Sequence, residues 1–263
     1  MKYFRKLYPD GGQYAVITDF SNPVITERIN TYEDLFFIKS LKDICDYNNI
    51  ENVELVISCL FQQQHDRRFE DNQSFELKLV ADFINSCNFK KVHIFHPHSD
   101  STSIAIKNFH LIDNSAYVSE VLDEIIAETG HKPVLLSTDG GSYKWINKLA
   151  DKIIYTGEVY GASKARDPYT HKLTQVIDKQ DFKGQSVVVI DDISVFGGTF
   201  LGLAKMLKER NVGDLYLVVS HITVKNPNKE LEQLYKKVYS TNSKYEQSDY
   251  QLNNLIVKNI FKF

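Results

Sequence analysis

The chain has 263 residues, 43% of them hydrophobic and 25% charged, and carries a formal net charge of −3 at pH 7. That length supports one large or two modest domains, each with its own core. The balance of charge excludes a protein held to nucleic acid or to an anionic membrane surface by electrostatics, and no apolar run approaches the roughly 20 residues of a membrane span.

From the start, MKYFRKLYPDGG is basic but lacks the apolar stretch of a secretory leader, and Cys45, Cys59 and Cys87 are spaced too irregularly for a disulfide frame or a zinc site. A reduced, cytoplasmic protein is expected. Val53–Cys59 (VELVISC) reads as a short buried run, Phe75–Ser86 (FELKLVADFINS) has helical periodicity, and Lys91–Phe95 (KVHIF) reads as a strand. Ser119–Ala127 is helix-like, Pro133–Ser137 (PVLLS) a strand and Tyr143–Leu149 a helix. Ser186–Ile190 and Leu215–Ser220 are buried strands flanking a helix over Leu201–Arg210. Strands alternating with helices predict parallel sheets flanked by helices, in two units, 1–117 and 118–263.

In open parallel sheets, ligands bind beyond the carboxyl ends of the strands, so functional residues are expected at those ends. The stretch SVVVIDDISVFGGTFL carries Asp191 and Asp192 after a buried strand. Two carboxylates there can grip vicinal sugar hydroxyls or a hydrated magnesium ion, or simply cap a turn. Gly197, Gly198 and Thr199 then open a helix, where free amides and the helix dipole favour a phosphate. In CLFQQQHDRRF, Arg67 and Arg68 offer forked donors to a polyphosphate, although such a triplet alone also reads as a solvated charge run. His96 and His98, two apart at the end of KVHIF, are expected on one strand face and able to address one ligand. STDGGS supplies Asp139, Gly140 and Gly141, a simple turn if taken alone. GASKARDPYTHKLTQ (161–175) is polar and without hydrophobic periodicity, as in a surface loop or hairpin.

Taken together and in order, these motifs resemble the ribose-phosphate diphosphokinase family. Its phosphoribosyl-binding loop has Asp-Asp, two variable residues, an acidic residue and Thr-Gly-Gly-Thr; here Val195 and Phe196 replace the acidic residue and the first Thr. The resemblance implies two tandem type I phosphoribosyltransferase-like domains. It also implies Mg2+-dependent transfer of the β,γ-diphosphate of ATP to the anomeric hydroxyl of a ribose 5-phosphate moiety, with release of AMP. By that resemblance Asp191, Asp192, Phe196, Gly197, Gly198 and Thr199 hold the ribose phosphate. Asp139, Gly140 and Gly141 match a Ser-Pro-Asp-x-Gly-Gly segment that meets the diphosphate.

On the nucleotide side, Asp66 and Arg67 match the ATP site, with Gln64 and His65 in place of Arg-Gln and His96 in place of Asp. His98 matches a magnesium-binding histidine and, with Asp139 and Asp191, makes up the expected metal ligands. Lys164 and Arg166 match a catalytic loop that closes on the transferring diphosphate. Tyr8 and Asp10 match a segment that reaches a neighbouring subunit's adenine, with Gly12 in place of Glu, so a homodimer or larger homo-oligomer is expected. Against the family the ends read as trimmed, lacking the first strand and helix and most of the last helix. The altered Val195–Phe196 pair leaves two acceptors open, ribose 5-phosphate and ADP-ribose; a diphosphate of the latter would feed rebuilding of NAD. A phosphoribosyltransferase and a catalytically silent regulatory homologue are the alternatives. The first has no use for DRR with HPH, and the second would not need Lys164 and Arg166.

Overall fold

The computed structural model describes residues 1–166, 173–177 and 179–263, with backbone alone at 164–166 and 173–175. The chain divides into two compact units, Met1–Asp113 with Phe261–Phe263, and Asn114–Ile260. The boundary lies a few residues before the expected 117, because the first helix of the second unit begins at Ser115 and buries Val118 there. The tail joins the first unit through Phe261, whose ring meets Phe95 at 5.4 Å, and through Phe263, which lies 3.8 Å from the Arg28 guanidinium.

The first unit begins with an antiparallel ribbon, β1 (Lys2–Leu7) and β2 (Gln13–Asp19). A parallel sheet follows, β3 (Val24–Glu27), β4 (Glu54–Ile57), β5 (Lys91–Phe95) and β6 (Phe109–Ile112), in that order. Helices α1 (Tyr32–Tyr47), α2 (Glu76–Ser86) and the short α3 (Ser101–Ala105) connect these strands. Thr31 and Asp34 form a reciprocal capping box that starts α1. Alternate strand residues Ile25, Leu55, Ile57, Val92 and Ile94 pack on Leu35, Ile38 and Leu41 of α1 and Val80 and Ile84 of α2. Truncating one of these to Ala costs about 2–5 kcal/mol.

The second unit is built on seven strands in the order β13-β12-β11-β10-β7-β8-β9. They are β7 (Val134–Ser137), β8 (Val159–Arg166), β9 (Leu173–Ile177), β10 (Val187–Ser194), β11 (Leu215–Ile222), β12 (Lys237–Thr241) and β13 (Leu255–Lys258). All neighbours are parallel except β8 and β9. Helices α4 (Ser115–Thr129), α5 (Gly140–Lys152), α6 (Gly198–Lys208) and α7 (Leu231–Leu234) complete it.

The central strands bury both faces, which explains why they read as unbroken apolar runs rather than alternating ones. Val187 and Val189 pack toward Leu203, Ala204 and Leu207 of α6, while Val188 and Ile190 pack toward α4 and α5 through Val121, Ile125 and Ile146. Among the described residues no helix is long and apolar enough to cross a membrane, and all three cysteines are buried thiols outside any disulfide.

Candidate active site

The two aspartates do not follow a strand, as the sequence suggested; they lie within one. β10 continues through Asp191 and Asp192 to Ser194, because its parallel partner β11 runs alongside as far as Ile222. On its other side the ladder with β7 stops at Ile190 opposite Ser137. Beyond that point β7 passes into α5, so the ladder steps off just before Asp191, at the carboxyl end of the sheet, where ligands bind in such sheets.

Asp191 occupies that step with both carboxylate oxygens engaged. Oδ1 accepts from the Asp192 amide at 2.9 Å, and Oδ2 accepts from the Thr138 hydroxyl at 2.5 Å. Burial, and then the negative charge of Asp192, push the Asp191 carboxyl well above the usual carboxylate range, against the opposing pull of the Thr138 bond. Such a group is poised to ionise fully only when a cation or several donors arrive. Asp192 is buried, 8% exposed.

Two glycine-led helices begin at the ends of these neighbouring strands. α6 starts after Gly197, whose φ of +88° is left-handed and whose Cβ, if present, would sit 2.9 Å from Leu231 Cδ1. Gly198 is exposed and faces open space, which lets a ligand approach the backbone. Phe196 precedes them with its ring 65% exposed, so it is not a packing residue of the core. α5 starts at Gly140, earlier than the helix expected from Tyr143, and Gly140 and Gly141 form its exposed first turn. Asp139 caps it: Oδ1 accepts from the Ser142 amide at 2.9 Å, and the Asp139 amide donates to Ser142 Oγ at 3.1 Å. The segment read as a metal-binding turn thus has a helix-capping role already visible in Asp139.

The polar stretch containing Lys164 and Arg166 forms the β8–β9 hairpin, with Lys164 opposite Gln175 and Arg166 opposite Leu173. The side chains of Lys164 and Arg166, the two expected catalytic cations, lie outside the described residues.

In the first unit, Asp66 is buried and accepts from Arg67 Nε at 2.9 Å. Burial pushes the Asp66 carboxyl up, but hydrogen bonds from Arg67 and Ser99, with the charges of Arg67 and His98, outweigh it and hold it below its ordinary value. Asp66 is therefore a neighbour of both Arg67 and His98. Arg68 donates to the Gln73 carbonyl at 2.6 Å and so braces its own loop. Gln64 and His65 are exposed on the same loop.

The expectation that His96 and His98 share a strand face is corrected. β5 ends at Phe95 and His96 has a left-handed φ of +37°, so the alternation of a strand does not reach either residue. What fixes His98 is Gln63, a buried residue not singled out from the sequence. Its Oε1 accepts from the His98 amide at 2.9 Å, joining the 62–66 loop to the segment after β5. Nothing in a run of three glutamines signals which one turns inward.

Tyr8 and Asp10 form the turn between β1 and β2. Asp10 Oδ1 accepts from the Gly12 amide at 2.9 Å, Gly11 takes the left-handed φ of +89° that the turn needs, and Tyr8 is 56% exposed.

Residues 113–254 match the phosphoribosyl transferase domain family. The ribose-phosphate pyrophosphokinase of Methanobrevibacter smithii is 27% identical over 226 residues, which cover 78% of this chain and 72% of that protein. The ribose-phosphate pyrophosphokinase 2 of Archaeoglobus fulgidus is 26% identical over 202 residues, 77% of this chain and 69% of that one. Among solved structures, the phosphoribosylpyrophosphate synthetase of Mycobacterium smegmatis superposes with a TM-score of 0.80 at 16% identity, covering 97% of this chain and 85% of the other, and so shares the fold. With its phosphoribosyltransferase-type unit matched over more than half its length and its relatives aligned across both units, the chain belongs to the phosphoribosyl transferase domain family and, within it, is a pyrophosphokinase-type transferase of the ribose-phosphate diphosphokinase group.

Proposed function

We propose that the chain transfers the β,γ-diphosphate of ATP to the anomeric hydroxyl of a ribose 5-phosphate moiety and releases AMP. One observation carries the reading: Asp191 and Asp192 lie in the carboxyl-terminal half of β10, beside β7, and each of these adjacent strands is followed by a glycine-led helix, Gly140–Gly141 opening α5 and Gly198–Thr199 opening α6. The carboxylates suit vicinal hydroxyls, and the two sets of helix-terminal amides suit two phosphate groups. In this reading Gly197, Gly198 and Thr199 hold the 5-phosphate, and Gly140 and Gly141 approach the diphosphate. Asp66, Arg67 and His98, with Gln64 and His65, hold ATP. Tyr8 and Asp10, on an exposed turn, reach the adenine held by a second copy. Lys164 and Arg166 donate to the oxygens of the transferring group, whose charge spreads in the transition state. No protein nucleophile is required; positioning and charge neutralisation supply the rate.

Magnesium fits the donor set. Carboxylate oxygens of Asp191 and Asp192 are the hard ligands it prefers, and a cation there relieves the charge that raises Asp191. Among the described residues no group of three or more His, Cys, Asp or Glu is placed to hold a metal alone. In this reading substrate phosphates complete the coordination, as is common for magnesium, with Asp139 as the other candidate in the second unit and His98 a candidate of the first unit for the magnesium that accompanies ATP. When bound, the ion neutralises phosphate charge and aligns the transferring group. A reduced cytoplasmic setting agrees with three cysteines outside any disulfide.

A second reading concerns the acceptor. The exposed Phe196 offers an aromatic face beside the phosphate loop, in place of a threonine hydroxyl. A terminal phosphate dianion loses a charge-assisted hydrogen bond by that exchange, whereas the diester phosphate of ADP-ribose loses less and its adenine can stack, for about 1–3 kcal/mol. The two acceptors are tested by incubating ATP and Mg2+ with each and analysing the products by mass spectrometry. ADP-ribose as the better acceptor in wild type, shifted toward ribose 5-phosphate by Phe196→Thr, supports the second reading. A preference for ribose 5-phosphate that Phe196→Thr leaves unchanged removes it, and failure of both acceptors removes the function.

A further inference from the structure

The ladder between β7 and β10 ends with Ile190 opposite Ser137. The next pair in register is Asp191 and Thr138, and there a side-chain bond takes over from the backbone: Thr138 Oγ1 donates to Asp191 Oδ2 at 2.5 Å. Thr138 is fully buried. Its oxygen lies 3.3 Å from Ser142 Oγ, and Ser142 is the partner of Asp139 in the cap of α5. The Thr138 hydrogen goes to Asp191, while Ser142 Oγ has the Asp139 carbonyl as its nearer acceptor at 3.0 Å, so it is Thr138 itself that ties the start of α5 to the carboxylate on β10. In the Ser-Pro-Asp-x-Gly-Gly pattern that this segment resembles, Thr138 stands at the proline and Ser142 at the second glycine.

Building on the acceptor site described above, we propose that Thr138 is a positioning residue for Asp191. The Asp192 amide holds Oδ1 and the Thr138 hydroxyl holds Oδ2, so rotation of the carboxylate about its last bond is blocked in two directions. Each oxygen keeps a lone pair for the acceptor's hydroxyls or its cation. A carboxylate fixed beforehand binds more tightly than one that must first be ordered. Because Thr138 directly precedes Asp139, the cap of α5, its bond to Asp191 also links the acceptor carboxylate to the turn expected to meet the diphosphate.

The test is binding of ribose 5-phosphate and of ADP-ribose, each with Mg2+, by titration calorimetry, with ATP measured separately. Thr138→Val keeps the shape and removes the donor. It should weaken the preferred acceptor about 10-fold, leave ATP affinity within about 2-fold, and raise KM more than it lowers kcat. Thr138→Ser restores the hydroxyl and should recover most of the affinity. In an Asp191→Asn background, Thr138→Val should add no comparable loss, since the residue acts through that carboxylate. Thr138→Ala carries the same expectations should the valine variant fail to fold. Unchanged acceptor binding in Thr138→Val, a serine variant as weak as the valine one, or a full additional loss in the Asp191→Asn background would each overturn the proposal. If wild type bound neither acceptor, the reading of the site would fall and the proposal with it. Wild-type binding that Thr138→Val leaves intact overturns the role of Thr138 alone.

Discussion

Gly197 and Gly198 are adjacent, yet replacing each by alanine should do opposite things. At Gly197 the backbone φ is +88° and a Cβ would meet Leu231 Cδ1 at 2.9 Å. A left-handed alanine costs roughly 1–2 kcal/mol, and the contact with a buried leucine adds to it. Gly197→Ala should therefore destabilise by about 1–3 kcal/mol, a fall in Tm of roughly 2–12 °C for a unit of this size. At Gly198 a Cβ meets nothing within 4 Å and the residue already lies in α6. There alanine should leave stability unchanged or raise it by about 0.5–1 kcal/mol, through lower backbone entropy in the unfolded chain. The open space before Gly198 is nevertheless where the acceptor's phosphate is expected, so the added methyl should remove one charge-assisted contact. A loss of about 1.5–3 kcal/mol corresponds to roughly 10–100-fold in acceptor affinity. Thermal unfolding and acceptor KM, measured on both variants, decide the matter. A Gly198→Ala enzyme with wild-type acceptor KM would refute close backbone approach at this helix, whatever its stability.

Burial, opposed by Arg5, raises the Glu27 carboxyl from 4.5 to about 7. With the folded value above the unfolded one, its contribution to stability is fully present below about pH 4.5 and lost as pH rises through 7. Glu27→Gln should thus gain stability over wild type above pH 7, by up to about 3 kcal/mol before allowance for partial solvent screening, and show little gain at pH 4; urea titrations at the two pH values check this, and an equal gain at both would contradict it. Lys164→Ala and Arg166→Ala should each lower turnover by about 100-fold or more with little change in Tm; near wild-type turnover in both would take the hairpin out of the mechanism. Light scattering at assay concentration should give at least a dimer, because Tyr8 and Asp10 are expected to complete a neighbour's site, and a fully active monomer would refute that role.

Much of this architecture is legible in the sequence because its central strands are buried on both faces. SVVVI, LYLVVS and KVHIF announce themselves through β-branched and apolar density, and α2 and α6 through their periodicity. Other strands are not legible: β3 and β13 are partly exposed and lack a clean alternation, β12 is buried but polar at Lys237, Ser240 and Thr241, and β1 and β2 form a ribbon with mixed faces. Helix α1 is masked by Tyr32, Phe36 and Tyr47 on its solvent side, which blur its apolar stripe. Among the candidate site residues, residue type singles out Asp191 and Gly198 in the second unit and Asp66 in the first, but spacing misjudges their surroundings. A charged pair suggested a strand end where pairing with β11 carries the strand on to Ser194, and a His-x-His spacing suggested one face where a left-handed residue had already broken the strand. Gln63 and Thr138 went unnoticed because their importance lies in long-range hydrogen bonds, to residues 35 and 53 positions away, which no local pattern encodes.

The central claim is diphosphate transfer, and phosphorus NMR of the enzyme with ATP, Mg2+ and an acceptor tests it most directly. The account predicts AMP and an acceptor diphosphate in equal amounts, formed only when the acceptor is present. Release of ADP with a singly phosphorylated product, or of AMP and free diphosphate without the acceptor, would contradict it.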